Sequence, residues 1–217
     1  MGQVEQRIKA FINVVSGREY PASCQVTKPN QETIDFIKTT NCRMIAEVGI
    51  YKGYTSEYLA QYLNGQGELH LFDFEERVRE VKDKLHAAGY HNVFGHGNTH
   101  KKMDSYNWSL MRVLQKHPEP IYDYVFLDGA HLWNLDALAF LLADRLLKIG
   151  GYVDLDDYDW NIEYSPTMNP QGFPAVNKMY TPEQIHERHV GLIIDLLVKR
   201  DPRYAEVVAN KIYKKIA

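Results

Sequence analysis

The residues able to do chemistry sit where the apolar runs of this chain stop. "YDYVFLD" ends on Asp128 and continues Gly129-Ala130-His131, and "YVDLDD" ends on Asp156 and Asp157. Three carboxylates and an imidazole at neighbouring strand ends would repel strongly if the acids were left bare. A hard divalent cation such as Mg²⁺ relieves this through oxygen ligands, which makes Asp128, Asp156 and Asp157 candidate metal ligands. Solvation, or pairing with Lys or Arg, is the other outlet. Asp128 and His131 are the candidate catalytic residues, His131 as a general base near neutral pH. An imidazole opening a helix is also a common structural feature.

A second group lies in "IAEVGIYKGYTS", residues 45–56. Glu47 ends an apolar run, Gly49 suits a tight turn, and Gly53 suits close packing of a helix on a strand. The amides of the helix start that follows can face a polar ligand. A glycine pair after a strand is also plain turn chemistry. Tyr51 stands where a dinucleotide-binding GxGxxG loop needs its middle glycine, which weighs against NAD. Asp73 closes "ELHLFDF" about 20 residues past this loop, placed to accept hydrogen bonds from ribose hydroxyls. Otherwise it is a surface acid leading into the acidic helix start Glu75-Glu76. Gly97-Asn98-Thr99 is small and polar enough to meet the edge of a base, or is only a turn. The pairs His96/His100 and His186/His189 read as surface residues rather than zinc ligands.

These residues need a scaffold, and the pattern supplies one. Strand-like runs at 43–48, 68–74, 92–97, 122–128 and 152–157 alternate with helical spacing at 55–63, 75–89, 109–117 and 135–151. The step is roughly 25 to 30 residues, the size of a βαβ unit. The expected fold class is therefore α/β: a doubly wound, mainly parallel, Rossmann-like sheet with helices on both faces. Such sheets bind ligands beyond the carboxyl ends of their strands, where the residues above fall. The spacing also predicts helices at 5–15 and 30–39, forming a cap over residues 1–40 of a single domain spanning 1–217. From 158 to 181 the rhythm fails in a Pro-, Asn- and Tyr-rich stretch, long enough to be functional. Pro182 opens a last helix to about residue 200, and two strands joined near Ala209-Asn210 form a C-terminal antiparallel hairpin. The basic end, "KIYKKIA", reads as a solvated strand edge.

Composition narrows the function classes. A net charge of −3 gives no general field for nucleic acid. Cys24 and Cys42 make no CxxC pair, so neither a disulfide framework nor a thiolate zinc site is indicated. The opening "MGQVEQRIKAFINVVSG" is too polar for a signal peptide or membrane anchor. A reduced, cytoplasmic protein with no membrane partner is the expectation.

Taken in order, "EVGIYKGYTS", "LFDFEE", "FLDGAHLW" and "GGYVDLDDYDW" resemble class I S-adenosylmethionine-dependent methyltransferases. They are most similar to the branch of small-molecule O-methyltransferases acting on sugars, antibiotics and catechol-like hydroxyls. The resemblance covers roughly residues 43–160. It implies that Glu47, Gly49, Tyr51, Gly53 and Thr55 line the methionine end of S-adenosylmethionine, with Asp128 alongside. It puts Asp73 on the ribose, Phe74 beside the adenine and Asn98 at the adenine edge. Mg²⁺ would be held by Asp128, Asp156 and Asp157, with His131 as a polar catalytic residue. Tyr158, Trp160 and the 161–181 loop would form the side of the small-molecule hydroxyl acceptor. A homodimer is a further expectation of the resemblance. An oxidoreductase of similar fold, another enzyme using the same cofactor, or a domain retained only as a scaffold are the alternatives; the intact Glu47, Gly49, Gly53 and Asp73 set speaks for cofactor binding.

Overall fold

A computed structural model of the chain describes residues 28–217. The expected helix at 5–15 and Cys24 lie outside the described residues. Five parallel strands, β1 (Met44–Val48), β2 (Glu68–Phe74), β3 (Val93–Asn98), β4 (Tyr122–Leu127) and β5 (Leu147–Leu155), are joined by β6 (Tyr204–Val208) and β7 (Ile212–Lys215). The sheet order is β3-β2-β1-β4-β5-β7-β6, with β7 antiparallel to both β5 and β6. The chain order reverses between β1 and β4, which makes that junction the place for a ligand crevice.

Side-chain alternation explains the layers. Ile45, Leu69, Leu71, Tyr124 and Phe126 face one side and pack with α1 (Gln31–Ile37), α2 (Tyr54–Leu63) and α3 (Glu75–Ala87). Ala46, Val48, Phe72, Val125 and Val153 face the other, under α4 (Tyr106–Lys116), α5 (Trp133–Leu146) and α7 (His189–Ile193). Strands buried on both faces lose the polar alternation of an open sheet, as a parallel sheet requires.

Several boundaries differ from the sequence expectation. The helix predicted over 135–151 ends at Leu146, and β5 starts at once, with Leu147 paired to Tyr122. Gly150, at φ +89°, lies where the β4–β5 register shifts, so the glycine pair bends a strand instead of stopping a helix. The helix expected from 182 to about 200 is interrupted. A capping box of Thr181 and Gln184 starts α6 (Pro182–His186), but Glu187 is extended (ψ 150°) before α7 and a π-helical turn, Ile194–Val198. Residues 162–185 form a compact loop around Ile162, Val176 and Ile185, packed on Leu132. The basic C-terminus is not a solvated edge. β7 is interior to the sheet, and Lys211 and Lys215 are only 6% and 7% exposed.

On one face of the sheet, His96 is half-buried rather than a free surface residue. Its Nε2 lies 3.1 Å from His70 Nδ1, which also lies 2.9 Å from the Tyr122 hydroxyl, while His70 Nε2 faces Glu68 at 3.0 Å. Burial, with His70, Lys116 and His117 nearby, lowers the His96 pKa to about 4, and burial lowers that of His70. The unfolded chain therefore binds more protons than the folded one between about pH 4 and 6.5. Stability should rise with pH across that window. The contribution is on the order of 1 kcal/mol, after discounting for partial exposure. Urea midpoints measured from pH 4.5 to 7 should climb in the native chain, and His96→Phe should flatten the climb; an equal slope in both would show that these imidazoles do not set it.

Candidate active site at the carboxyl edge

The cleft is built on one close approach. Gly49 has φ +85°, and a Cβ there would lie 1.8 Å from the Asp128 carbonyl oxygen. No other residue fits. Gly49 N–H donates to Phe72 O and Asp128 N–H to Val48 O, both at 2.8 Å, so the ends of β2, β1 and β4 are laced together just where the acids emerge. Gly53, the left-handed N-cap of α2, answers to the Val81 side chain, which a Cβ would meet at 2.5 Å. Both glycines of the loop thus have structural partners within the protein.

Asp73 organises the same loop. Its Oδ2 accepts from the amides of Ile50 (2.9 Å) and Tyr51 (3.1 Å), and its Oδ1 from Phe74 N (2.7 Å). Arg77 reaches the same carboxylate at 3.3 Å and lies over the rings of Tyr51 and Phe74. Phe74 stacks on His100, centroids 4.1 Å apart, and His100 pairs with Glu76. Thr55 Oγ1 accepts from Asn30 N at 3.0 Å, joining α2 to the start of α1.

Glu47 Oε2, Ser56 Oγ and Asn98 Oδ1 are among the polar atoms at this edge that are buried and have no hydrogen-bond partner among the described residues. Burial pushes the Glu47 pKa up to about 8; Ser56 opposes the rise and Asp73 adds to it. Ser56 is a site residue that sequence reading passed over. It lies next to Thr55, at the start of α2, where only the fold shows which of two hydroxyls turns inward.

Among the described residues, the ligand atoms that converge are those of Asp128, His131 and Asp157, all within 4.8 Å of one another. His131 Nε2 faces Asp128 Oδ1 at 3.2 Å and its Nδ1 faces Asp157 Oδ2 at 3.3 Å. Tyr51, His131 and Asp157 hold positive φ (47°, 57° and 65°). Such backbone strain gathers at functional sites. Burial, then Asp156, Asp157 and Glu47, raise the Asp128 pKa well above the usual range, although a 33% exposed side chain tempers the effect. Burial likewise raises Asp157, against the pull of His131.

The expected trio of Asp128, Asp156 and Asp157 is arranged otherwise. Asp156 is turned to Lys211, whose Nζ donates to it at 2.7 Å. Burial lowers the Lys211 pKa, but Asp154 and Asp156 outweigh it and the net shift is upward. Trp160 stays at the site, edge-on to His131 at 5.4 Å. Tyr158 does not: its hydroxyl donates to Asp195 (3.0 Å) and Arg188 covers its ring, so it pins the loop to α7 and the π-helical turn. Sequence reading also missed the brace behind the loop. Asp136 accepts from Leu132 N at 2.8 Å and from the Tyr106 hydroxyl, which in turn accepts from Ala130 N at 3.2 Å.

Comparison with known proteins places this geometry. A protein of Acanthamoeba polyphaga mimivirus described as "Uncharacterized protein R132" is 34% identical over 138 residues, 61% of this chain and 57% of that protein, so the match spans little more than half of the relative. The O-methyltransferase from Bacillus cereus in complex with SAH superposes with a TM-score of 0.60 at 19% identity, covering 98% of this chain and 91% of that one. The O-methyltransferase TomG from Streptomyces achromogenes, involved in tomaymycin synthesis and in complex with SAM, gives 0.61 at 18%, covering 98% and 90%. At such identities these two likenesses concern the fold. The profile of the family described as "Methyltransferase domain" matches residues 46–158, from β1 through the glycine loop and the Asp128–His131 turn to the acids after β5. With its strand order, its glycine loop and its acid-lined carboxyl edge accounted for, the chain belongs to the methyltransferase-domain family.

Proposed function

We propose that the chain is an S-adenosylmethionine-dependent O-methyltransferase that acts on a hydroxyl of a small molecule, a sugar or natural product. The observation that carries this reading is one juxtaposition. Glu47 Oε2, Ser56 Oγ and Asn98 Oδ1, buried without partners among the described residues, share a sheet edge with the Asp128–His131–Asp157 cluster. Buried polar atoms are nearly always paired, so three together fit a polar ligand. That the Bacillus and Streptomyces proteins hold SAH and SAM supports this donor.

When bound, S-adenosylmethionine supplies a methyl carbon already activated by its sulfonium, so the protein's task is mainly positioning. Glu47, held near pKa 8 by burial, suits a ligand ammonium, whose charge would restore its ionised form. Asp73 already serves three amides, so ribose hydroxyls would replace its longest contacts, those to Arg77 at 3.3 and 3.4 Å. Phe74 and His100 offer a flat wall on the adenine side, next to Asn98. Trp160 and the 162–185 loop form the acceptor side. An acceptor hydroxyl replacing one carboxylate beside His131 can pass its proton to the imidazole or to the displaced acid. The residues present also fit a divalent cation: Asp128, His131 and Asp157 would hold it, and it would supply Lewis acidity to the acceptor oxygen. Asp136 and Tyr106 position the turn that carries Asp128 and His131.

Calorimetry of the full chain should show heat on adding S-adenosylhomocysteine and none on adding NAD. Asp73→Asn should weaken binding at least about tenfold, the loss of about 1.4 kcal/mol expected of a charged hydrogen-bond acceptor. No binding by the native chain would sink the cofactor assignment and favour a scaffold role. Asp136→Asn should speed amide exchange at Ala130 and Leu132, lower stability by about 1–3 kcal/mol and leave cofactor affinity nearly unchanged. Unaltered exchange at those amides would remove Asp136 as a positioning residue.

A further inference from the structure

Lys211 sits at the end of the β6–β7 turn, beside the carboxyl end of β5. Its Nζ lies 3.2 Å from Asp154 Oδ1 and 2.7 Å from Asp156 Oδ1, with the side chain 8% exposed. Asp154 is fully buried and accepts 2.6 Å bonds from the hydroxyls of Thr33 on α1 and Tyr124 on β4. Lys211 O accepts from Leu155 N at 2.9 Å, so the backbone anchors the lysine as firmly as the side chain does. The Phe126 ring lies under the ammonium at 5.4 Å. This is a fixed, desolvated cation inserted into a row of acids.

We infer that Lys211 is the resident counter-cation of the cleft: it withdraws Asp156 from metal ligation and confines any divalent cation to Asp128, His131 and Asp157. An ammonium 2.7 Å from Asp156 occupies a direction in which that carboxylate could ligate an ion, and it repels a divalent charge nearby. What remains is two carboxylates and one imidazole, a softer set than three carboxylates, better suited to Mn²⁺ than to Mg²⁺. Lys211 thereby sets both how tightly the cleft holds a divalent cation and which one. The inference concerns ion binding, and its test reads no turnover, so it and the methyl-transfer reading fail separately.

The test is Mn²⁺ binding to the full chain, followed by the paramagnetic resonance of the free ion, with Mg²⁺ as competitor. Lys211→Met should bind Mn²⁺ at least about tenfold more tightly than the native chain and should let Mg²⁺ compete where it did not before, because Asp156 is released. Lys211→Arg, which keeps the charge, should stay at the native level. A lysine with only a structural role would lower the melting temperature without any gain in affinity. Removing it strands a buried acid, so Lys211→Met combined with Asp154→Asn carries the same expectation while leaving Asp154 able to accept from Thr33 and Tyr124. Equal or weaker Mn²⁺ binding in a folded Lys211→Met chain would overturn the inference, as would failure of both variants to fold.

Discussion

Everything at the carboxyl edge depends on the contact between Gly49 and the backbone of Asp128. A side chain at residue 49 would overlap the Asp128 carbonyl oxygen, so the two loops can meet only through a residue without one. That contact sets the β1 loop against the β4 turn, and the β1 loop in turn is tied to β2 by the amides that Asp73 collects. The cleft is thus a set of loop ends fixed by main-chain contacts. The side chains that do chemistry are mounted on a frame that they do not have to hold together themselves. Gly49 is therefore sensitive for a steric reason before any ligand arrives.

The second constraint is charge. Glu47, Asp128, Asp154, Asp156 and Asp157 gather within one sheet edge, and burial alone would drive most of them neutral. The protein answers each acid differently. Asp154 receives two hydroxyls and an ammonium, Asp156 shares that ammonium, and Asp128 and Asp157 share one imidazole. Among the described residues Glu47 has no charged partner of its own, and it shows the upward shift that follows from burial. Removing water from a charge is costly unless a partner is supplied, so the acid that lacks one is the acid with most to gain from a cationic ligand.

Much of this was legible in the sequence, because the features concerned are local. Strand-length apolar runs ending in Glu47, Asp73, Asp128 and Asp156-Asp157 gave the sheet, its parallel order and the edge that carries the site. What could not be read depends on direction and partnership across the chain. Lys211 and Lys215 lie in a hairpin whose alternation defines two faces without saying that both are covered. Their burial follows from β7 pairing with β5 as well as β6. Tyr106 and Asp136 open separate helices and look like ordinary first-turn residues. Only the packing of α4 beside α5 brings them together behind the Asp128–His131 turn. The interruption at Glu187 has no glycine or proline to announce it, since Pro182 marks a start and not a stop.

Tyr158 shows how fold and site constrain each other in adjacent residues. Asp157 has a left-handed backbone (φ 65°), which sends the chain sharply away from β5. On one side of that bend Asp157 faces His131; on the other, Tyr158 runs to Asp195 under the Arg188 guanidinium. Gly191 makes the second crossing possible, since a Cβ there would sit 2.9 Å from the Tyr158 carbonyl oxygen. The aromatic residue next to the acids therefore acts as an anchor, and Trp160, two residues on, is the one returned to the imidazole. A strained acid, an anchored tyrosine and a returning tryptophan make one device. The bend that turns Asp157 toward His131 also starts the loop that brings Trp160 back to the imidazole, so the geometry of the acids and the course of that loop are set by the same few backbone angles.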